Sequence, residues 1–222
     1  MLNHPVIKFI RRFYRGNTAA VLGSLIVATV IIMSMCASLI AENEPNKRVA
    51  RGHQPPSTEL LLGSTRSGKD VFSQVLHGGR ISLLVAFGAA TITTIIAVVV
   101  GISAGYFGGR VDEFLMSFTN IILVFPQLPL LIILAAFLGQ VGPLVITLII
   151  GLSSRACGAR VIRSQTMAIR NKEFILAAEV MGESKWRIIF VEILPNLISI
   201  VVGGAMGTCI YALMAEAGLE FL

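Results

Sequence analysis

Long uncharged apolar runs separated by short charged stretches set the pattern of this chain. The first runs from Gly16 to Ala41, 26 residues, against the roughly 20 an α-helix needs to cross a bilayer core. A cleaved leader carries an apolar stretch of only about 7 to 15 residues, so a retained span at 17–41 is predicted. The second run, Ile81 to Gly109, is again long enough for one crossing. Its small residues, Gly88, Ala89, Ala90, Gly101, Ala104 and Gly105, suit close helix–helix approach. The third, Phe114 to Ser154, holds 41 residues and as one helix would reach about 60 Å, twice the hydrocarbon thickness. It must fold back, and Gly139–Pro143 is the natural turn, giving spans at 114–138 and 143–162. Ile193 to Ala215 supplies a fifth. The expected fold class is an all-α membrane protein, a polytopic transmembrane helix bundle with about five spans. Its expected divisions are 1–16, the first span at 17–41, a loop at 42–80 and a core at 81–222.

Composition agrees with this pattern. Of 222 residues 55% are hydrophobic and 14% charged, with mean hydropathy +0.82, whereas soluble domains carry roughly 25% charged residues. The net charge of +6 lies between apolar blocks and forms no continuous surface, so it reports membrane topology and not nucleic-acid binding. With the N-terminus in the cytoplasm, the inside segments hold twelve Lys and Arg and the outside segment 42–80 holds six, which the positive-inside rule favours. Cys36, Cys157 and Cys209 are scattered along apolar segments, and His4, His53 and His77 are equally dispersed. No metal site is proposed, and the cysteines read as small buried hydrophobes.

Several local features invite a function. In "PVIKFIRRFYR", residues 5–15, Val6, Phe9, Ile10, Phe13 and Tyr14 fall near one helical face and Lys8, Arg11, Arg12 and Arg15 largely on the other. That describes an amphipathic helix on the cytoplasmic leaflet, or a frayed terminus with stop-transfer charges. Gly63 to Asp70, "GSTRSGKD", falls one residue short of a nucleotide-binding P-loop, because Asp70 stands where a Mg²⁺-ligating hydroxyl is needed. Pro126 and Pro129 lie inside the third span, where they can bend a helix that lines a pathway or simply kink it. Glu216 and Glu220 sit near the outer end of the fifth span, available to a peptide amine or a cation, or else solvated. Arg155 lies within the fourth and is expected to snorkel to the cytoplasmic headgroups.

The stretch "RNKEFILAAEVMGESKWRIIFVEILPNL", residues 170–197, is the most informative. It is rich in helix formers and charges, holds a small pair at Ala177 and Ala178, and breaks at Gly182. Here the chain resembles the membrane-spanning subunits of ABC-type importers, whose hallmark is E-A-A-x₃-G followed about a dozen residues later by L-P. The matching residues are Ala177, Ala178, Gly182, Leu194 and Pro195, while Leu176 stands at the glutamate position and Glu192 at the usual isoleucine. The resemblance implies a coupling loop at about 164–192 that docks on an ATPase subunit, with Glu173 or Glu179 substituting for the motif glutamate. "LLGSTRSGKDVFSQVLHGGRISL", "AGYFGGRVDEFLM", "GARVIRSQ" and "AEAGLEFL" narrow it to the C-type permeases of the dipeptide, oligopeptide and nickel importers. In that pattern Asp70 is the expected residue, so the near-P-loop reads as an outer-face loop leading into the second span.

The resemblance implies no covalent chemistry and no cofactor on this chain. ATP and Mg²⁺ would act on two partner ATP-binding subunits, a second, B-type permease would complete the pathway, and an extracytoplasmic binding protein would deliver the cargo. Members of that family continue past the position of Leu222 into another loop and a sixth span. The implied location is the cytoplasmic membrane of a bacterium or archaeon, and the implied cargo is peptide, with a nickel chelate or an oligosaccharide as alternatives. An ion-coupled secondary transporter fits the spans but not the coupling loop.

Overall fold

The computed structural model describes residues 17–138, 142–153 and 155–220. The amphipathic reading of 1–16 and most of the 139–143 turn lie outside them, as do the side chains of Arg155 and Glu220. Among the described residues every regular element is helical, and pairing is limited to two isolated bridges, Arg48 with Lys69 and Ser64 with Asp70. The chain divides into two compact units, Met1–Leu83 and Leu84–Leu222.

In the first unit α1 spans Thr18–Met35. It starts where Asn17 Oδ1 accepts from the Ala20 N–H at 3.1 Å, a side-chain cap on a helix end whose donors have no partner within the helix. A single turn, α2 (Ala37–Ile40), follows. The next helix, α3, runs from Val71 to Phe107 and is continuous for 37 residues, beginning ten residues ahead of the apolar run that predicts it. Asp70 explains the early start. Its carboxylate accepts from the Phe72 N–H at 3.1 Å and the Ser73 hydroxyl at 2.5 Å, so the cap fixes the helix end while hydropathy marks only the part inside lipid.

In the second unit α3 continues and is followed by α4 (Gly109–Val124), α5 (Gln127–Leu138), α6 (Pro143–Ser153), α7 (Arg155–Arg170) and α8 (Glu173–Val180). A turn of helix, α9 (Lys185–Arg187), then runs through a π-helical stretch, Ile188–Ile193, into α10 (Leu194–Glu220). The third predicted span is thus two helices with a break at Phe125–Pro126. Pro126 sits before the first residue of α5, and Pro129 lies in its first turn, where a missing N–H leaves no intrahelical bond unmade. Neither proline bends a helix from within. They mark where one stops and the next begins.

Three of the described helices are long and apolar enough to cross a membrane: Thr18–Met35, Val71–Phe107 and Lys185–Leu219. A fourth arises if Pro143–Ser153 and Cys157–Arg170, bent by 43°, form one span. The buried face of α3 is built mostly of small residues, with Leu76, Val85, Ile102 and Tyr106 among them, in a way suited to lipid. Ala86, Ala89, Ala90, Ala97 and Ala104 are buried, whereas Leu84, Phe87, Ile95 and Val99 are exposed. In water the large apolar side chains would turn inward; beside lipid tails they have no reason to, and small residues at the contacts let backbones approach. Gly101 and Gly105 are such contacts: a Cβ on either would meet the carbonyl of Ala159 or Arg163 in α7 at 2.7 Å. Two buried clusters result. One joins Ile102, Ile162, Ile175, Ile188 and Leu197, and the other joins Val85, Leu131, Ile150, Ala212 and Ala215.

Candidate functional site

Helix α8 and the turn after it carry the motif residues, and they present two unlike faces. Ile175 and Ala178 are buried in the first cluster. Phe174, Leu176, Val180 and Met181 are exposed, the last two at 89% and 75%, and Ala177 joins them on the outside. Eight residues cannot sustain a helix in isolation. The buried pair anchors it, and Gly182 closes it.

That closure is a complete Schellman turn. The Gly182 N–H reaches the Glu179 carbonyl and the Glu183 N–H reaches the Ala178 carbonyl, each at 3.1 Å, with Gly182 at φ +78°. Ser184 then caps α9 through the Arg187 N–H, and Trp186 stacks on Phe190 with both rings exposed. An outward apolar surface between charged ends, on a segment held from behind, is suited to sit in another protein's groove.

The two candidate glutamates part company here. Glu173 lies in the first turn of α8, exposed, where a negative charge suits the helix N-terminus. Glu179 is engaged by its own chain: its Oε1 accepts from the Tyr106 hydroxyl at 3.2 Å. Leu176, at the motif glutamate position, is half exposed and apolar.

Behind this segment the Arg163 guanidinium binds both carboxylate oxygens of Asp112 at 2.5 Å, a bidentate pair joining α4 to α7. Neither partner stands out by sequence spacing. Each sits among other charges, Asp112 beside Glu113 and Arg163 three residues after Arg160, so the sequence does not single out the pair.

Within the helices of the second unit lies a cavity of about 450 Å³, lined among others by Thr93, Gln127, Cys157, Gly204, Thr208 and Tyr211. The Tyr211 hydroxyl is buried and has no hydrogen-bond partner among the described residues. Gln127 and Tyr211 also line a second cavity of about 500 Å³ with Pro126 and Pro129, so the prolines stand at a pocket wall. Glu216 is 2% exposed, on the same face of α10 as Ala212, Ala215 and Leu219. The solvated position considered for it does not hold, because that face packs inward.

The near-P-loop is occupied by its own bonds. Among its backbone donors the Gly63, Ser64, Thr65 and Gly68 N–H groups reach carbonyls within the first unit, and the Lys69 N–H reaches Thr65 Oγ1. The Lys69 ammonium donates to Asn46. Amides already bonded cannot cradle a phosphate. Among the described residues no three His, Cys, Asp or Glu side chains gather as metal ligands.

Residues 97–222 match the family described as "Binding-protein-dependent transport system inner membrane component". The chain is 34% identical over 214 residues to the dipeptide transport system permease protein DppC of Alkalihalophilus pseudofirmus, a match covering 94% of this chain and 68% of that one. It is 28% identical to the oligopeptide transport system permease protein OppC of Bacillus subtilis, with the same coverage. Against OppC of Mycobacterium bovis the identity is 35%, over 96% of this chain and 74% of the relative.

Proposed function

This chain belongs to the family of binding-protein-dependent transport system inner membrane components, and we propose that it is the permease of an ATP-driven importer of dipeptides and oligopeptides. It is a non-catalytic membrane component. With a second, B-type permease it encloses the pathway; two partner subunits bind ATP and Mg²⁺, and an extracytoplasmic protein delivers the peptide. The names of the relatives support peptide as cargo.

The observation that carries this reading is the two-faced segment at 173–187. A cytoplasmic helix buried on one side and apolar on the other, directly ahead of the membrane-length helix Lys185–Leu219, transmits the closure of an ATPase to the membrane. Glu173, Leu176, Ala177 and Met181 meet the ATPase, and Gly182 sets the angle at which they do. Glu173, and not Glu179, stands in for the motif glutamate, since the latter is engaged within the chain.

To the three helices long and apolar enough to cross, and a fourth crossing if the bent pair Pro143–Ser153 and Cys157–Arg170 is one span, this reading adds Gly109–Val124 with Gln127–Leu138 as a fifth. The twelve-to-six distribution of Lys and Arg favours a cytoplasmic N-terminus. The cavity beside Tyr211 and the wall at Pro126 and Pro129 border the pathway, with Glu216 buried near its outer end. The test is reconstitution of this chain with its second permease, ATPases and binding protein in proteoliposomes. Uptake of radiolabelled tri-alanine that requires ATP and the binding protein is expected. Uptake driven by an ion gradient without ATPase subunits would contradict it.

A further inference from the structure

We propose that the Tyr106 hydroxyl and the Glu179 carboxylate form a latch that makes the coupling segment move together with helix α3. Both are positioning residues for transport, and the proposal rests on the reading of 173–187 as the ATPase-facing segment. The hydroxyl donates to Glu179 Oε1 at 3.2 Å from a side chain only 5% exposed. Glu179, itself exposed, thus reaches back to α3 of its own chain from beside the outward Val180 and Met181.

Two further contacts hold the same end of α3. The Arg170 guanidinium, at the end of α7, lies 5.8 Å from the centroid of the Tyr106 ring. The Lys185 ammonium, in α9, lies 5.8 Å from that of Phe107, and the two rings meet edge to face at 5.3 Å. The end of α7, α8 and α9 thus each grip the last turn of α3 through a different side chain, by cation–π contact or hydrogen bond.

Helix α3 is poorly able to absorb a displacement locally. It is unbroken over 37 residues, and Gly101 and Gly105 press it against the backbone of α7. A shift of α8 applied at Tyr106 is carried along α3 as a rigid element. This gives the "AGYFGG" motif a physical role: its first glycine sets the close approach, its tyrosine holds the coupling helix, and Gly108, at φ +64°, turns the chain into α4.

The assembled complex in proteoliposomes, with binding protein and tri-alanine as probe, tests the latch. Tyr106→Phe keeps the ring and its contacts and removes only the hydroxyl. Losing a hydrogen bond to a charged group shifts a two-state equilibrium by roughly tenfold. Peptide imported per ATP hydrolysed is therefore expected to fall about tenfold with complex yield unchanged. Glu179→Ala should show the same fall, and Glu179→Gln, which retains an acceptor oxygen, should stay within about threefold of the parent. The double variant Tyr106→Phe with Glu179→Ala should be no worse than either alone, because both remove one interaction. An unchanged ratio in Tyr106→Phe, or losses that multiply in the double variant, would overturn the latch. Amide exchange over residues 173–187 of the same complex reads the latch without reference to cargo. Exchange roughly tenfold faster in Tyr106→Phe is expected, and unchanged exchange overturns the latch even where tri-alanine is not a cargo. Absence of ATP-dependent tri-alanine import by the parent complex, with faster exchange in the variant, would instead sink the peptide reading and leave the latch standing.

Discussion

The segment between α2 and α3 and the segment between α7 and α10 both turn at glycines of positive φ, yet they dispose of their side chains in different ways. In the first, Ser64 and Asp70 are buried. Ser64 Oγ accepts from the Gln54 N–H and donates to the Gly52 carbonyl, and Asp70 gathers Asn43, Phe72 and Ser73. In the second, Val180, Met181 and Trp186 stand in the open. A loop that satisfies its own buried polar groups is a finished scaffold, because unmade bonds there would be costly. A segment that leaves apolar surface outside awaits a partner.

Substitutions that unfold the one and merely blunt the other sharpen this contrast. Gly68 has φ +77°, and a Cβ there would run into the Ala50 carbonyl. Gly68→Val adds a β-branched side chain in the left-handed region as well as the clash, a loss of at least about 3 kcal/mol. Rapid proteolytic cleavage within residues 42–69 is expected, with ATPase co-purification retained if the loop still permits assembly. Val180→Asp combined with Met181→Asp should do the reverse. ATPase affinity should fall by roughly 100-fold, about 2.7 kcal/mol, while thermal unfolding of the solubilised chain stays within about 0.5 kcal/mol of the parent.

A smaller effect comes from Asp70. Burial raises its carboxyl, but hydrogen bonds from Ser73, Asn43 and the backbone of Phe72 and Ser73 outweigh that and hold it below the usual carboxylate range. A depressed folded value means the stabilisation is fully present above the unfolded carboxylate range and is lost as pH falls through the folded one. Asp70→Ala should cost the loop about 2 kcal/mol at neutral pH. Cleavage of the parent loop should accelerate on acidification, whereas that of the variant should change less. At Gly182, φ +78° and open space around the Cβ position make Ala a matter of backbone strain alone. Gly182→Ala should cost about 1 kcal/mol in chain stability, and a loss of coupling much larger than this would show that the angle of the turn matters more than its stability.

What the sequence made legible was what lipid and motif chemistry impose. Apolar runs locate the helices Thr18–Met35, Val71–Phe107 and Lys185–Leu219 because desolvation of the backbone leaves no alternative to a helix. They misplace the start of α3 because capping by Asp70 is a local hydrogen-bond event that hydropathy does not register. The segment proposed to couple is marked in the sequence by Ala177, Ala178 and Gly182, and the structure adds that only one of the two alanines is exposed. Glu173 and Glu179 were indistinguishable by spacing. Tyr106 separates them, and Tyr106 precedes Glu179 by 73 residues, a distance over which no periodicity carries information. Likewise the inward turn of Glu216 depends on which face of α10 meets α5 and α6, a matter of packing that a nearly uniform apolar helix does not announce.

The central claim, that residues 173–187 dock on an ATPase subunit, is tested most directly by cross-linking. Met181→Cys, in a chain whose Cys36, Cys157 and Cys209 are replaced by serine, is treated with a short bifunctional maleimide in the assembled complex, against an ATPase subunit carrying single cysteines around its membrane-facing groove. Efficient cross-linking to that subunit, strengthened or weakened by ATP, is the result predicted here. Cross-linking of Met181→Cys to the binding protein or to the second permease alone, with the ATPase untouched, would contradict it.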